Sequence, residues 1–350
     1  MSRYVTFRSE RLRISFLMEK KRMAMLFVSM LILLMLSIIS IGAGTLYISP
    51  LRTVQVLWGG PHGEAMESIV IWNFRLPRLI MACLAGMALA LAGTIMQGVV
   101  RNPLASPDII GITSGAAMAA VLFLAIFSLK TSIFLMPVFA FVGALVVAVF
   151  IYLAAWKKGI SPSRIILVGL GVSALLEALK TLFLIFSPIA VLSQAKVWLT
   201  GTVYGANWDT VLYYSPWLIL FVPILFTLSR RLNIQVLGNE LPILLGGRLQ
   251  LQRFALIFTA AGLAGSAVAF VGSVGFIGLM APHISRRIVG GSHGILLVCS
   301  AVMGAILLVA ADLVGRTLFA PRDIPAGVFT AVIGAPFFLY MLIKVKRQQG

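Results

Sequence analysis

The chain is 350 residues long, 60% apolar and only 11% charged, with a mean hydropathy of +1.05. A soluble globular protein carries about 25% charge to cover its surface, so a soluble enzyme, a secreted disulfide scaffold and a disordered chain are excluded. The net charge of +18 does not point to nucleic acid, because the basic residues sit between apolar runs, where they set orientation in a bilayer.

Residues 1–22 form a polar, basic segment holding Arg3, Arg8, Arg11, Arg13, Lys20, Lys21 and Arg22. The apolar run from Met23 to Ala43 exceeds the core of about 7–15 residues of a cleavable signal, so it reads as an uncleaved first span. Apolar runs broken by Gly, Pro or charge give ten spans, at 23–44, 76–98, 112–128, 134–156, 165–187, 211–229, 254–272, 274–290, 295–318 and 325–343. The third and eighth are short for a hydrocarbon core of about 30 Å and require tilt, interruption or shielding. The predicted fold is therefore all-α: a polytopic membrane protein of about ten transmembrane helices, with the spans in one domain at 23–345 and a short tail at 346–350.

With the N-terminus inside and ten alternating spans, twenty of the 28 Lys and Arg fall in inner segments. Arg52, Arg75, Arg78, Lys130, Lys180, Lys196, Arg316 and Arg322 fall outside or within spans. This positive-inside bias places both termini in the cytoplasm. Two connections are longer than turns: an outer one at 45–75 and an inner one at 230–253. Within the inner one, Asn239 suits a helix cap, Pro242 a first turn and Gly246-Gly247 a helix end. That stretch reads either as a docking helix on the cytoplasmic face or as a helix resting in the interface.

Chemistry is sparse. No GxxxxGK[ST] phosphate loop is present, so the chain does not itself bind ATP in the usual way. HExxH, GxSxG and paired catalytic carboxylates are missing, Cys83 and Cys299 lie in apolar segments, and His62, His283 and His293 are scattered. No catalytic residue, cofactor or metal site is expected, and the chain is read as a non-enzyme. The deep carboxylates Glu177 and Asp312 stand at helical neighbour spacing from Lys180 and Arg316 and can be neutralised by them.

The outer span ends are basic instead. Arg75-Leu76-Pro77-Arg78 opens the second span, where proline suits the first helical turn, and Arg316 closes the ninth. Arginine binds carboxylates through two parallel hydrogen bonds and keeps its charge, so these three suit an acidic partner or an anionic solute. Snorkelling to the interface is the alternative. On the inner side, Arg101-Asn102-Pro103-Leu104-Ala105-Ser106-Pro107-Asp108 and Ser161-Pro162-Ser163-Arg164 break the helix and read as gate elements or as tight turns. Small residues crowd 86–93 and 260–265, where they permit close helix packing.

Taken in order, these pieces resemble the iron-siderophore/cobalamin permease family of bacterial ABC importers, the FecCD family, over about residues 24–345. The resemblance rests on Arg75-Leu76-Pro77-Arg78; Gly93 to Gln97; Asn102-Pro103-Leu104-Ala105 with Pro107 and Gly111; Trp198 with Gly201; and Leu237-Gly238-Asn239-Glu240. It continues through Gly275-Phe276-Ile277-Gly278-Leu279 with Ala281-Pro282-His283, Ala311-Asp312 with Arg316, and Pro325 with Gly327 and Gly334-Ala335-Pro336-Phe337-Phe338.

The resemblance implies a ten-span subunit of the cobalamin-importer type in the bacterial plasma membrane. It pairs with a second permease, an identical copy or a paralogue. Two cytoplasmic ATPase subunits and an external substrate-binding protein complete the assembly. It further implies that Arg75, Arg78 and Arg316 dock glutamates of the binding protein, and that Asn102 and Leu104 with Pro162 and Ser163 form the cytoplasmic gate. Segment 232–250, through Leu237, Gly238, Asn239, Glu240 and Gly246, couples to the ATPase. This chain has Pro162 where the family commonly has Ser or Thr, and Asn239-Glu240 then Pro242 where it commonly has two acids and an alanine. The implied cargo is a ferric siderophore, with cobalamin or haem as family alternatives. The rivals are an ion-coupled secondary transporter, which needs an essential carboxylate such as Glu177 or Asp312, and a membrane-embedded enzyme.

Overall fold

The computed structural model describes residues 4–9, 14–60, 66–127, 135–157, 159–236, 238, 240 and 248–349. It opens with a hairpin, β1 (Tyr4–Ser9) against β2 (Ile14–Glu19), antiparallel with Tyr4 opposite Glu19. A reading by charge misses this pairing, although β-branched and aromatic residues such as Val5, Thr6, Phe7 and Phe16 favour extended backbone.

The rest is helical. In chain order the helices are α1 (Lys20–Gly42), α2 (Pro50–Gly59), α3 (Met66–Val100), α4 (Pro107–Ile110), α5 (Ile112–Phe127) and α6 (Met136–Ala154). They continue as α7 (Pro162–Ile185), α8 (Ile189–Leu199), α9 (Trp208–Val236), α10 (Leu249–Val271), α11 (Ile277–Val289), α12 (His293–Thr317) and α13 (Ala326–Gln349). Eight of the described helices are long and apolar enough to cross a membrane. With α5 and α11 they coincide with the ten expected spans, and the chain is a multi-pass membrane protein.

The two short spans are short in fact. α5 has 16 residues and α11 has 13, so at about 1.5 Å per residue neither reaches 30 Å. α11 is shielded by its neighbours: Ile277 to Pro282 are all buried. The outer connection 45–75 is largely helical, since Ser49 caps α2 by accepting from the Arg52 N–H at 3.3 Å and Pro50 stands in its first turn. Likewise α9 runs on to Val236, so the inner connection is shorter than the hydropathy suggests.

α3 is the axis of the bundle, and nearly every residue from Ala85 to Val100 is buried. Its glycines are what let neighbours approach. A Cβ on Gly86 would lie 2.3 Å from the Gly304 carbonyl oxygen of α12, and one on Gly93 only 1.8 Å from that of Gly278 in α11. Backbone contacts this close are how apolar helices associate where lipid offers no hydrophobic driving force.

Candidate functional site: two ends of the bundle

At one end, three arginines converge. After an α-helical first turn, α3 is π-helical from Val70 to Arg75 and returns to α-helix at Leu76. This change falls just before Pro77, which has no N–H to offer the preceding turn. Arg75 donates to the carbonyls of Ile41 (2.6 Å), Gly42 (3.0 Å) and Leu46. Arg316 donates to the carbonyls of Ala43 (2.9 Å) and Ser40 and to the Ser40 hydroxyl (2.8 Å). Both guanidiniums thus satisfy carbonyls at the C-terminus of α1, where the helix dipole is negative.

Arg78 works differently. It holds two carboxylates at once: Asp312 through Nε (3.0 Å) and a terminal nitrogen (2.7 Å), and Asp323 through both terminal nitrogens at 2.6 and 2.9 Å. The Tyr204 ring lies 5.7 Å from its guanidinium carbon. Asp312 is 3% exposed and stands 3.6 Å from Arg316, so the expected i,i+4 pair forms, yet Arg78 is its nearer partner. Glu177 and Lys180 also pair, at 2.5 Å. All three arginines line one open cavity of about 720 Å³, together with Tyr204, Arg322 and Asp323.

The three arginines singled out in the sequence lie together in the structure, but sequence reasoning misses what engages them. Asp323 passed unnoticed. Its one signal was to be a rare acid, among ten in the chain, on a short loop stiffened by Pro321 and Pro325.

At the opposite end lie the two proline-broken linkers. After α3, Arg101 adopts a left-handed conformation with φ of 55°, and the Asn102 side chain accepts from the Leu104 N–H at 2.9 Å. Ser106 then caps α4. A Cβ on Gly278 would stand 3.2 Å from the Pro107 ring, so this linker packs against the first turn of α11. Asn102 and Leu104 are half-buried.

In the second linker, Ser161 caps α7 by accepting from the Arg164 N–H at 3.4 Å, and Pro162 sits in the first turn. Proline there costs no hydrogen bond, so Pro162 is accommodated without distortion. Ser163 is exposed. The linkers meet through α4 and α7: a Cβ on Gly169 would stand 2.6 Å from the Ile110 carbonyl oxygen.

Of the coupling residues, Leu237, Asn239 and Gly246 lie outside the described residues. Gly238 has φ of 137° and is half-buried, and Glu240 is exposed. Among the described residues no three His, Cys, Asp or Glu side chains converge on a metal-sized site.

Between the ends, α8 was not anticipated. Its last turn, the 272–276 turn and the start of α13 meet through backbone alone: Gly327 N–H donates to the Gly201 carbonyl at 2.9 Å and Thr202 N–H to that of Val271 at 2.8 Å. A Cβ on Gly272 would stand 2.0 Å from the Trp198 carbonyl oxygen.

Residues 31–344 match the FecCD transport family. The chain is 46% identical to the Fe(3+)-citrate import system permease protein YfmE of Bacillus subtilis (strain 168), over 95% of this chain and 98% of that protein. It is 45% identical to the achromobactin transport system permease protein CbrC of Dickeya dadantii (strain 3937), over 91% of each. Among solved structures, an inward-facing metal-chelate-type ABC transporter superposes with a TM-score of 0.80 at 32% identity, covering 92% of this chain and 99% of that one.

Proposed function

The chain belongs to the FecCD transport family, and from that premise we propose that it is the permease subunit of a binding-protein-dependent importer that moves a ferric siderophore across the bacterial plasma membrane. Residues 23–345 are the permease domain, between a basic cytoplasmic segment at 1–22 and a cytoplasmic tail at 346–350. Two separate ATPase subunits hydrolyse the ATP, and a second permease, identical or paralogous, completes the path. The supporting observation is the two-ended layout: a cationic cavity at one end, and at the other two capped, proline-containing linkers.

On this reading the arginine end faces outward. Arg75, Arg78, Arg316 and Arg322 outnumber Asp312 and Asp323 there, so the cavity attracts carboxylates of a docking protein. The linkers at Asn102, Leu104, Pro162 and Ser163 close the path on the cytoplasmic side. Segment 232–250, with Leu237 to Glu240 and Gly246, meets the ATPase. No tight cargo site is needed in the permease, since capture occurs on the binding protein.

The test is uptake of radiolabelled ferric citrate and ferric siderophores by proteoliposomes holding the full complex, with and without binding protein. Accumulation should require both ATP and the binding protein, and should survive an ionophore while ATP is held constant. Uptake that an ionophore abolishes would refute the reading in favour of a secondary transporter.

The cavity makes a sharper prediction. Asp323 occupies one edge of the Arg78 fork while Asp312 keeps the other. Asp323→Asn frees that edge for an incoming carboxylate, so binding-protein docking is expected to tighten about threefold to tenfold, with a steeper dependence on salt. Docking isotherms at two ionic strengths measure this; weaker docking would show that Asp323 supports the surface rather than competing on it.

A further inference from the structure

We propose that Gln250 and Arg253 transmit movement from the ATPase-facing segment to the cytoplasmic gate, by gripping the backbone of Ile160. The inference rests on the importer reading and adds two positioning residues that the family resemblance did not supply.

The contact has two points. The Gln250 side-chain oxygen accepts from the Ile160 N–H at 3.2 Å, and Arg253 donates to the Ile160 carbonyl at 2.7 Å. The two side chains stand three residues apart, on one face of the first turn of α10. Holding both peptide groups of one residue resists rotation as well as translation. The Tyr152 hydroxyl adds a third tie, donating to the Gln250 carbonyl at 2.9 Å.

The gripped loop is itself stiff. Arg164 donates to the carbonyls of Ala155 (3.2 Å), Lys157 (3.3 Å) and Gly159 (3.4 Å). Gly159 has φ of +113°, and a Cβ there would stand 2.7 Å from the Gln250 amide nitrogen, so the loop and α10 are fitted at this point. A displacement at Ile160 therefore reaches Pro162 and Ser163 without being absorbed on the way.

Both ends of the ATPase-facing segment are anchored. On the α9 side, Gln235 donates to Gln252 at 3.4 Å, and the Asn233 side-chain oxygen accepts from the His293 N–H at 2.9 Å. On the α10 side, Gln250 is itself the last residue of the segment. Arg253 is 2% exposed, so its bond to the Ile160 carbonyl is shielded from competing water.

The test uses the whole complex in proteoliposomes, comparing wild type with Gln250→Leu, Arg253→Met and Arg253→Lys. Binding-protein-stimulated ATP hydrolysis and cargo accumulated per ATP are read together, with a spin label at position 163 reporting gate movement. In Gln250→Leu and Arg253→Met, ATP hydrolysis should stay within about twofold of wild type. Cargo per ATP should fall about tenfold, and the ATP-dependent change at the label should vanish. Arg253→Lys keeps a donor for the Ile160 carbonyl and should recover part of the loss. An unchanged cargo-to-ATP ratio would overturn the proposal, as would a parallel fall of hydrolysis, transport and assembly in both variants, which marks a purely structural role. A wild-type complex without ATP-driven transport would instead refute the importer reading.

Discussion

Arg78→Met is expected to destabilise the folded chain by about 3–5 kcal/mol, because it removes one partner of a buried ion pair. Asp312 is 3% exposed and takes its two shortest hydrogen bonds from Arg78. The remaining cation, Arg316, stands at 3.6 Å and has its terminal nitrogens committed to Ser40 and Ala43 at the end of α1. It cannot turn to Asp312 without stripping those carbonyls of their donors. A lone carboxylate in a low-dielectric setting costs far more than the pair contributed. Asp323 loses its fork too, but it lies nearer the surface, with 24% of its side chain exposed, and water can replace part of what it loses.

The measurement is the temperature at which the detergent-purified chain ceases to elute as a single species. Arg78→Met should lower it sharply, and adding Asp312→Asn should restore part of the loss, since the stranded carboxylate is then neutral. A single variant within about 1 kcal/mol of wild type, the range of an exposed pair, would mean the cluster is solvated and contributes little.

Gly93→Val should be still harder to tolerate. Most over-packed cores relax at a cost of about 1–3 kcal/mol, because side chains find other rotamers. Here the obstacle is the backbone of Gly278, with oxygen, carbonyl carbon and Cα all within 2.6 Å of the added Cβ. Relief requires α11 to withdraw from α3. Gly278 also packs on Pro107 in the first linker, so withdrawal loosens that linker as well. The expected result is little or no folded protein in the membrane fraction. Gly171→Ala is the control: nothing lies within 4 Å of its added Cβ, so it should be neutral or stabilising by up to about 1 kcal/mol. Equal yields of the two variants would show that α3 and α11 are not closely packed in the membrane.

Several outer features were legible beforehand for local reasons. Span order follows from runs of apolar residues, because every backbone group in lipid has to be satisfied within its own segment. The small-residue stretches at 86–93 and 260–265 announced close packing, and the prolines of the two linkers announced breaks in the helix. Even the two short spans were visible as such. Two connections were under-read: α8 is an eleven-residue helix between spans, and the hairpin at the N-terminus was hidden behind its charge.

Composition and local pattern therefore settled that the chain is a helical membrane protein of about ten spans, and singled out three arginines at span ends. Folding alone decided what those arginines hold, that Asp323 shares Arg78 with Asp312, and that Gln250 and Arg253 clasp Ile160. The reason is distance along the chain: Arg78 and Asp312 are 234 residues apart, and Arg253 and Ile160 are 93 apart. A helix end or a span is written in neighbouring residues, whereas a hydrogen bond between remote segments has no local signature and exists only once packing has fixed both partners in space.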